Sequence, residues 1–166
     1  MKFRMVDRIV SWQPRLAIRG VKAVSLEEYC LKAPFGGPPA LPESLLLEAI
    51  FQLGNWLVML STDFRQMGMI VRIGEARFDD VLRPGQRLDM AVTARSFRDD
   101  GVLLDGQAAV GGRPIAHGVG CLAVPVPLAD YADPADLRVL YSQIHRPAPA
   151  EDGDPERAKR VEGRPR

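Results

Sequence analysis

The stretch from Pro34 to Leu60, PFGGPPALPESLLLEAIFQLGNWLVML, decides the fold of this chain. Four prolines and two glycines fall within residues 33–42, which excludes regular structure up to Pro42. A helix is expected to begin at about Glu43, and from Leu45 to Leu60 nearly every residue is apolar, which predicts that protein encloses it on most sides. Only three polar residues interrupt that run: Glu48, Gln52 and Asn55. A carboxylate there is costly to bury unless it is paired, hydrated or used in chemistry.

The composition around this stretch is that of one ordinary globular domain. The chain has 166 residues and is 46% hydrophobic, enough to enclose a core. Its 22 basic residues nearly balance 21 acidic ones. This balance argues against a nucleic-acid partner or a membrane surface, because both attract a concentrated positive charge.

The sequence also indicates a cytoplasmic location. Its first ten residues lack the sustained apolar core of a signal peptide. The apolar run from Leu45 to Leu60 is shorter than a membrane span and contains the three polar residues, so we expect a core helix. Cys30 and Cys121 have no motif spacing and are interpreted as small buried residues, with no metal site.

The rest of the pattern predicts a sheet around the helix. A hairpin is expected before the helix, with strands in 3–11 and 16–24, and Ser25–Lys32 has the spacing of a short helical turn. The Pro84-Gly85, Asp100-Gly101 and Gly111-Gly112 pairs are typical of hairpin turns. They separate four predicted strands: Met67–Phe78, Gln86–Phe97, Val102–Val110 and Ile115–Val126. This order predicts an α+β fold, with an antiparallel sheet wrapped around one long central helix.

The C-terminal part divides into a helix and a tail. Apolar residues at helical spacing predict a helix from Pro134 to Ile144, with Asp133 as N-cap and one face docked on the sheet. Residues 147–166 are Pro-rich and charged, and we expect them to be disordered. The predicted domain is therefore 1–146.

Three collinear blocks resemble the β-hydroxyacyl-ACP dehydratases of the FabZ type, which have the hotdog fold. They are MVDRIV with RGVKAVS (Met5–Ser25), GGPPALPESLLLEAIFQ (Gly36–Gln52) and IGEARFDDVLRPGQRLDMAV (Ile73–Val92). The resemblance implies a dimer with joined sheets. It also implies an acyl thioester substrate carried on the phosphopantetheine of acyl carrier protein or CoA, and no further cofactor.

In this family a His of one subunit removes the α-proton, and a helix carboxylate of the other helps expel the hydroxyl as water. Backbone N–H groups at the helix N-terminus polarise the thioester carbonyl. The resemblance places the acid/base candidate at Glu48 and an orienting amide at Gln52. The substrate-binding candidates are Phe35, Gly36, Gly37, Glu43, Ser44 and Trp56.

The sequence departs from the family pattern at both chemical points of the site, and Gly36 also replaces a family proline. The catalytic His falls at Pro34, and the helix N-terminal Gly falls at Glu43. A proline ring cannot accept a proton, and a carboxylate beside the carbonyl opposes the developing oxyanion. We therefore expect a chain unable to dehydrate alone, which completes a site with a His-bearing paralogue.

Alternatives remain open at this stage. The chain is either such a subunit, a non-catalytic acyl-chain or acyl-carrier binding protein, or a hotdog thioesterase that uses Glu48. Glu48 itself is either functional or a relic bonded to Asn55, a backbone group or water. His117 is a displaced base or an ordinary structural histidine, and His145 lies beyond the expected core.

Overall fold

The computed structural model describes residues 3–28, 31 and 37–147. The described chain forms an antiparallel sheet, a central helix and a second helix. The elements are β1 (Arg8–Gln13), β2 (Ala17–Ala23), α1 (Glu43–Ser61), β3 (Gln66–Arg72), β4 (Glu75–Phe78), β5 (Arg87–Arg98), β6 (Gly101–Val110), β7 (Arg113–Pro127), a 3-10 turn (Leu128–Asp130) and α2 (Pro134–Ile144). The predicted α+β hotdog architecture is confirmed. Of the predicted tail, residues 148–166 lie outside the described part.

Helix α1 begins at Glu43, directly after Pro42, as predicted. Pro42 has no side chain that caps the helix, and Glu43 places a negative charge in the positive first turn. The core-facing residues of α1 are Leu46, Leu47, Ala49, Ile50, Leu53, Gly54, Trp56, Leu57, Val58 and Met59. The helix is long and apolar enough to be a candidate membrane span, but 56% of the relevant window is buried inside the fold. Such burial is that of a core helix.

The sheet has the order β1-β2-β5-β6-β7, and β3 and β4 share the last edge by pairing with different parts of β7. The prediction of one continuous strand over Met67–Phe78 is therefore wrong. The break lies at Gly74, where a Cβ atom would come within 2.8 Å of the Val119 carbonyl oxygen. Opposite it, β7 bulges at Gly120, which has φ +62° and donates its N–H to Asp105 Oδ1 at 2.8 Å. The bulge shifts the β6–β7 register and separates the two short edge strands.

The turn at Pro84-Gly85 does not close a hairpin, which corrects a second prediction. β4 lies at the sheet edge, whereas β5 lies in the centre between β2 and β6. The chain crosses between them, held by hydrogen bonds from the Gly85 N–H to Val24 O and from the Leu41 N–H to Leu82 O. The hairpin predicted before the helix, which turns between Gln13 and Ala17, and those predicted at Asp100-Gly101 and Gly111-Gly112 are confirmed.

A buried cation anchors the chain ahead of the Pro/Gly loop. Lys22 on β2 is 7% exposed, and its Nζ lies 3.3 Å from Asp7 Oδ1 and 2.8 Å from Glu28 Oε1. The predicted helical turn begins as a simple hydrogen-bonded turn, in which the Glu28 N–H bonds to Ser25 O. The Glu28 side chain bonds to Lys22 and does not complete a capping box.

Helix α2 has the predicted bounds, and Asp133 caps it by accepting the Ala135 N–H at 2.8 Å. Its C-terminal part docks on the sheet as predicted, because His145 bridges Ile9 of β1 and Tyr141 Oη accepts the Trp12 indole N–H at 3.0 Å. Its apolar face also lies against α1. The ring of Tyr141 lies 6.3 Å from Trp56 of α1, between ring centroids. The cause is the bulky aromatic residues Trp56 and Phe64, which give α2 an apolar surface outside the sheet.

Candidate active site

Three polar side chains form a stripe along α1. Glu48, Gln52 and Asn55 are spaced by four and three residues, which places them on one helix face. All three line a cavity of about 560 Å³ between α1 and α2. This volume is in the range of small-molecule sites in proteins. The three polar residues that interrupt the apolar run of α1 therefore line the same cavity.

Hydrogen bonds connect the backbone to the carboxylate through Gln52. The Met5 N–H donates to Gln52 Oε1 at 2.8 Å, and Gln52 Nε2 donates to Glu48 Oε1 at 2.8 Å. The backbone donor requires the amide oxygen on its side, which turns the amide nitrogen toward Glu48. Gln52 thus holds one carboxyl oxygen of Glu48, and among residues 3–28, 31 and 37–147 no hydrogen bond to the other oxygen, Oε2, is present.

Asn55 has a different task. Its Oδ1 accepts the Gly68 N–H at 2.9 Å and so ties α1 to β3. Asn55 was one of the hydrogen-bond partners considered for a structural Glu48, but no bond between the two side chains is found in the described part of the chain. The hydrogen bond described for Glu48 comes from Gln52.

The remaining cavity wall is mainly apolar. Trp56 is 6% exposed, and its ring packs edge-on against Phe64 at 6.4 Å between centroids. The other lining residues come from the N-terminal segment, α1, β3, the 3-10 turn and α2: Phe3, Arg4, Val6, Met59, Met67, Leu128, Tyr131, Ala132, Asp133, Asp136, Leu137, Leu140 and Ile144. The cavity thus offers a hydrogen-bonded carboxylate on α1 and a mainly apolar surface, with Arg4, Asp133 and Asp136 as its other charged residues.

Three of the other substrate-binding candidates fall within the described residues, and they are not part of this cavity wall. Glu43 and Ser44 are exposed in the first turn of α1, and neither they nor Gly37 are among the lining residues described. Phe35, Gly36 and Pro34 lie outside the described residues, as does Cys30. The predicted loop contribution therefore stays a prediction.

Neither described histidine stands beside Glu48. His117 lies on β7, on the sheet face opposite α1, with its Nε2 3.6 Å from Asp79 Oδ2. Its neighbour Gly118 faces α1, where a Cβ atom would meet Leu47. His145 stacks on Tyr141 at 4.9 Å between centroids. His117 is therefore not a displaced base for Glu48 of the same subunit.

Cys121 is not an activated nucleophile either. It is 2% exposed, and burial raises the pKa of its thiol, aided by the charge of Asp105. The thiol form behaves as a small apolar side chain, as predicted. In the described part of the chain, no group of three or more His, Cys, Asp or Glu residues is arranged to hold a metal ion.

Sequence reasoning missed two contributors to the site. The Met5 backbone N–H carries no side-chain signal, so its bond to Gln52 was not predictable from residue types. The apolar spacing of Leu137 and Leu140 was recognised, but the surface that they cover was not. Both contributions depend on contacts between residues far apart in sequence.

Comparisons with known proteins show which family this chain resembles. The model of the FabA-like domain family matches residues 1–118. The 3-hydroxyacyl-[acyl-carrier-protein] dehydratase FabZ of Aliarcobacter butzleri is 33% identical over 119 residues, which cover 68% of this chain and 81% of that protein.

Solved structures show the same fold at low identity. A hypothetical thioesterase of Streptococcus pneumoniae, solved with coenzyme A, has 11% identity and a TM-score of 0.54, with 72% of this chain and 88% of that chain covered. The dehydratase heterocomplex ApeI:P of Xenorhabdus doucetiae has 13% identity and a TM-score of 0.52, with 69% and 91% covered. On the family-model match and the identity to the FabZ protein, the chain belongs to the FabA-like domain family, with FabZ-type dehydratases among its relatives.

Proposed function

We propose that this chain is a subunit of a 3-hydroxyacyl-thioester dehydratase in which Glu48 supplies the acid and a His-bearing partner supplies the base. The hydrogen-bond chain from the Met5 N–H through Gln52 to Glu48, beside a cavity of about 560 Å³, carries this proposal. A structural carboxylate does not need a dedicated amide that points it along an open cavity.

In the proposed reaction, the partner's base takes the proton from C2 of the substrate. The protonated Glu48 donates its proton to the hydroxyl on C3, and the C3–O bond breaks. The electrons of the C2–H bond form the C2=C3 double bond, and water leaves. Proton transfer from the base to Glu48 through solvent restores both groups. The products are a 2-enoyl thioester and water.

The open sheet edge supports assembly with a second subunit. Along β3 and the following residues, Met69, Val71 and Ile73 are 38%, 56% and 42% exposed, and Phe78 of β4 is 39% exposed. An edge strand with exposed apolar side chains is a template for pairing with another chain. The FabZ relatives and the heterocomplex structure make a paralogue a suitable partner, and a homodimer is the alternative. We place this assembly in the cytoplasm and in fatty-acid or polyketide-type synthesis.

The test is turnover of a 3-hydroxyacyl thioester by the purified chain, alone and mixed with a His-bearing FabZ-type paralogue. We expect enoyl product only from the mixture, and its loss with Glu48→Gln. Glu27→Gln, at an exposed loop carboxylate, is the matched control and retains the rate. Absence of product in both settings, or full activity of Glu48→Gln, contradicts the proposal.

A thioesterase is the second candidate, because the fold is shared with the S. pneumoniae protein. There Glu48 activates water, which attacks the thioester carbonyl and releases the thiol. Release of free thiol without enoyl product identifies this activity. Binding of an acyl thioester without either product identifies a non-catalytic acyl-binding protein.

A further inference from the structure

Helix α2 is amphipathic, yet it buries none of its residues completely. Leu137, Leu140 and Ile144 point to α1 and are only partly buried, and no other residue of α2 is fully buried. The space that they leave is the cavity beside Glu48, which all three residues line. Helix α2 therefore covers α1 without filling the gap beneath it.

Helix α2 is fixed to the domain at its middle and at its end. In its middle, Arg138 donates to Asp63 Oδ1 and to Asp63 O, both at 2.8 Å, and lies over the Phe64 ring at 4.6 Å. Near its end, Tyr141 Oη accepts the Trp12 indole N–H at 3.0 Å, and the Arg146 N–H bonds to Ile9 O at 3.0 Å. These contacts hold the helix at its distance from α1 and so maintain the gap.

The chemistry of the cavity changes along α1. Glu48 and Gln52 come first, and Trp56 and Met59 follow, over a helix rise of about 16 Å from Glu48 to Met59. The apolar residues of α2 face this wall. The arrangement fits a molecule with a polar, reactive head beside Glu48 and an aliphatic tail under α2.

We propose that α2 is the element that limits acyl-chain length, with Leu137 and Leu140 as the specificity-determining residues. The helix lies beyond residues 1–118, the part that the family model matches. The acyl-thioester nature of the ligand rests on the proposed function. The assignment of the limit to α2 rests on the tethered helix and the gap beneath it.

The test is binding of a series of acyl-CoAs, from butyryl- to palmitoyl-CoA, measured by isothermal titration calorimetry with the full chain and its partner subunit. Each buried methylene contributes about 0.8 kcal/mol, or about fourfold in Kd. We expect affinity to rise with chain length up to a limit and then to level off or fall. Leu140→Trp shifts this limit to shorter chains, and Leu140→Ala shifts it to longer ones.

Val139→Trp is the matched control, because Val139 lies next to Leu140 on the same helix and is 57% exposed. It leaves the limit unchanged. Thermal unfolding of each variant identifies loss of fold, and the Leu140→Ala arm remains informative where Trp is not tolerated. An unchanged limit in both folded Leu140 variants overturns the proposal, as does the absence of acyl-CoA binding.

The readout separates this inference from the proposed function. A length limit that moves with residue 140, in a protein without dehydration activity, removes the dehydratase proposal and supports the role of α2. Dehydration activity with a chain-length limit that does not change in the Leu140 variants supports the dehydratase proposal and removes the role of α2.

Discussion

Ile50 of α1 rests directly on Gly106 of β6, and a Cβ atom at Gly106 would overlap Ile50 Cγ2. This contact seats the central helix on the sheet. We expect Gly106→Ala to lower the free energy of unfolding by about 1–3 kcal/mol, because it overpacks the core. Urea unfolding measures the change. In an Ile50→Ala background the added methyl group has room, so we expect Gly106→Ala to lower the free energy of unfolding by less. An equal loss in both backgrounds contradicts the contact.

Gly101→Ala is the control for this experiment. Its Cβ would lie 3.2 Å from Leu122 Cδ1, the end of a flexible side chain. We therefore expect a smaller loss than at Gly106.

Gln52→Ala removes the link between the backbone and Glu48. The Met5 N–H, in a residue that is 1% exposed, then loses its acceptor. We expect a loss of about 1–3 kcal/mol in the free energy of unfolding and, in the active mixture, a fall in kcat greater than the change in KM. Gln143→Ala, at an exposed position of α2, changes neither. An unaltered kcat in a folded Gln52→Ala protein removes the orienting role.

Lys22→Met leaves Asp7 and Glu28 without their shared cation. We expect a loss of about 1–3 kcal/mol in the free energy of unfolding at neutral pH, because Nζ donates charge-assisted hydrogen bonds to two partly exposed carboxylates. Arg98→Met, in an exposed ion pair with Asp100, has an effect near zero. Equal effects of the two substitutions contradict the anchoring role.

The contribution of Lys22 also has a pH dependence of known sign. Burial lowers the pKa of Lys22, but the hydrogen bond to Glu28 and the charges of Asp7 and Glu28 outweigh it, so the pKa lies above 10.5. The stabilisation is therefore complete below pH 10.5 and declines as the pH rises through the folded-state pKa. The difference between wild type and Lys22→Met should shrink only in that alkaline range.

Arg138→Gln loosens the first tether of α2. The hydrogen bond and charge of Arg138 hold the pKa of Asp63 below its usual value of 3.8. We therefore expect faster amide hydrogen exchange in α2 of the variant at neutral pH. In wild type, the protection factors of the α2 amides, which are the exchange rates corrected for the intrinsic pH dependence, should fall as the pH falls through the lowered pKa of Asp63. If the α2 amides of Arg138→Gln exchange at the wild-type rate, the other contacts of α2 are enough to hold the helix, and the Arg138 tether is not needed.

Val71→Asp tests the assembly edge. Val71 is 56% exposed on β3, and a carboxylate there opposes burial against a second subunit. We expect sedimentation to show a smaller species than wild type. Leu16→Asp, at a 58% exposed position in the β1–β2 turn, leaves the assembly intact.

The parts of the fold that depend on local signals were predictable from the sequence. Pro42 defines the start of α1, and Asp133 with Pro134 defines the start of α2. The turn at Pro84-Gly85 has the residues of a hairpin, but the pairing of β5 with β2 is non-local and overrides that signal. The break at Gly74 depends on a bulge in β7, more than forty residues later.

The candidate site follows the same division. Glu48 and Gln52 are recognisable from their spacing and family pattern, whereas the Met5 N–H and the underside of α2 become partners only through folding. The family model matches residues 1–118, and α2 lies beyond them. The family resemblance therefore gave no information on where α2 packs.

The interruption of the sheet edge at Gly74 has a consequence for aggregation. A long, flat edge recruits strands of any chain, whereas β3 and β4 offer short segments offset by the bulge in β7. A straight foreign strand can pair with one segment but not continue along the other. Pairing along the whole edge requires a partner strand with an interruption at the same position. Gly74, which divides the edge strand, therefore disfavours non-specific self-association.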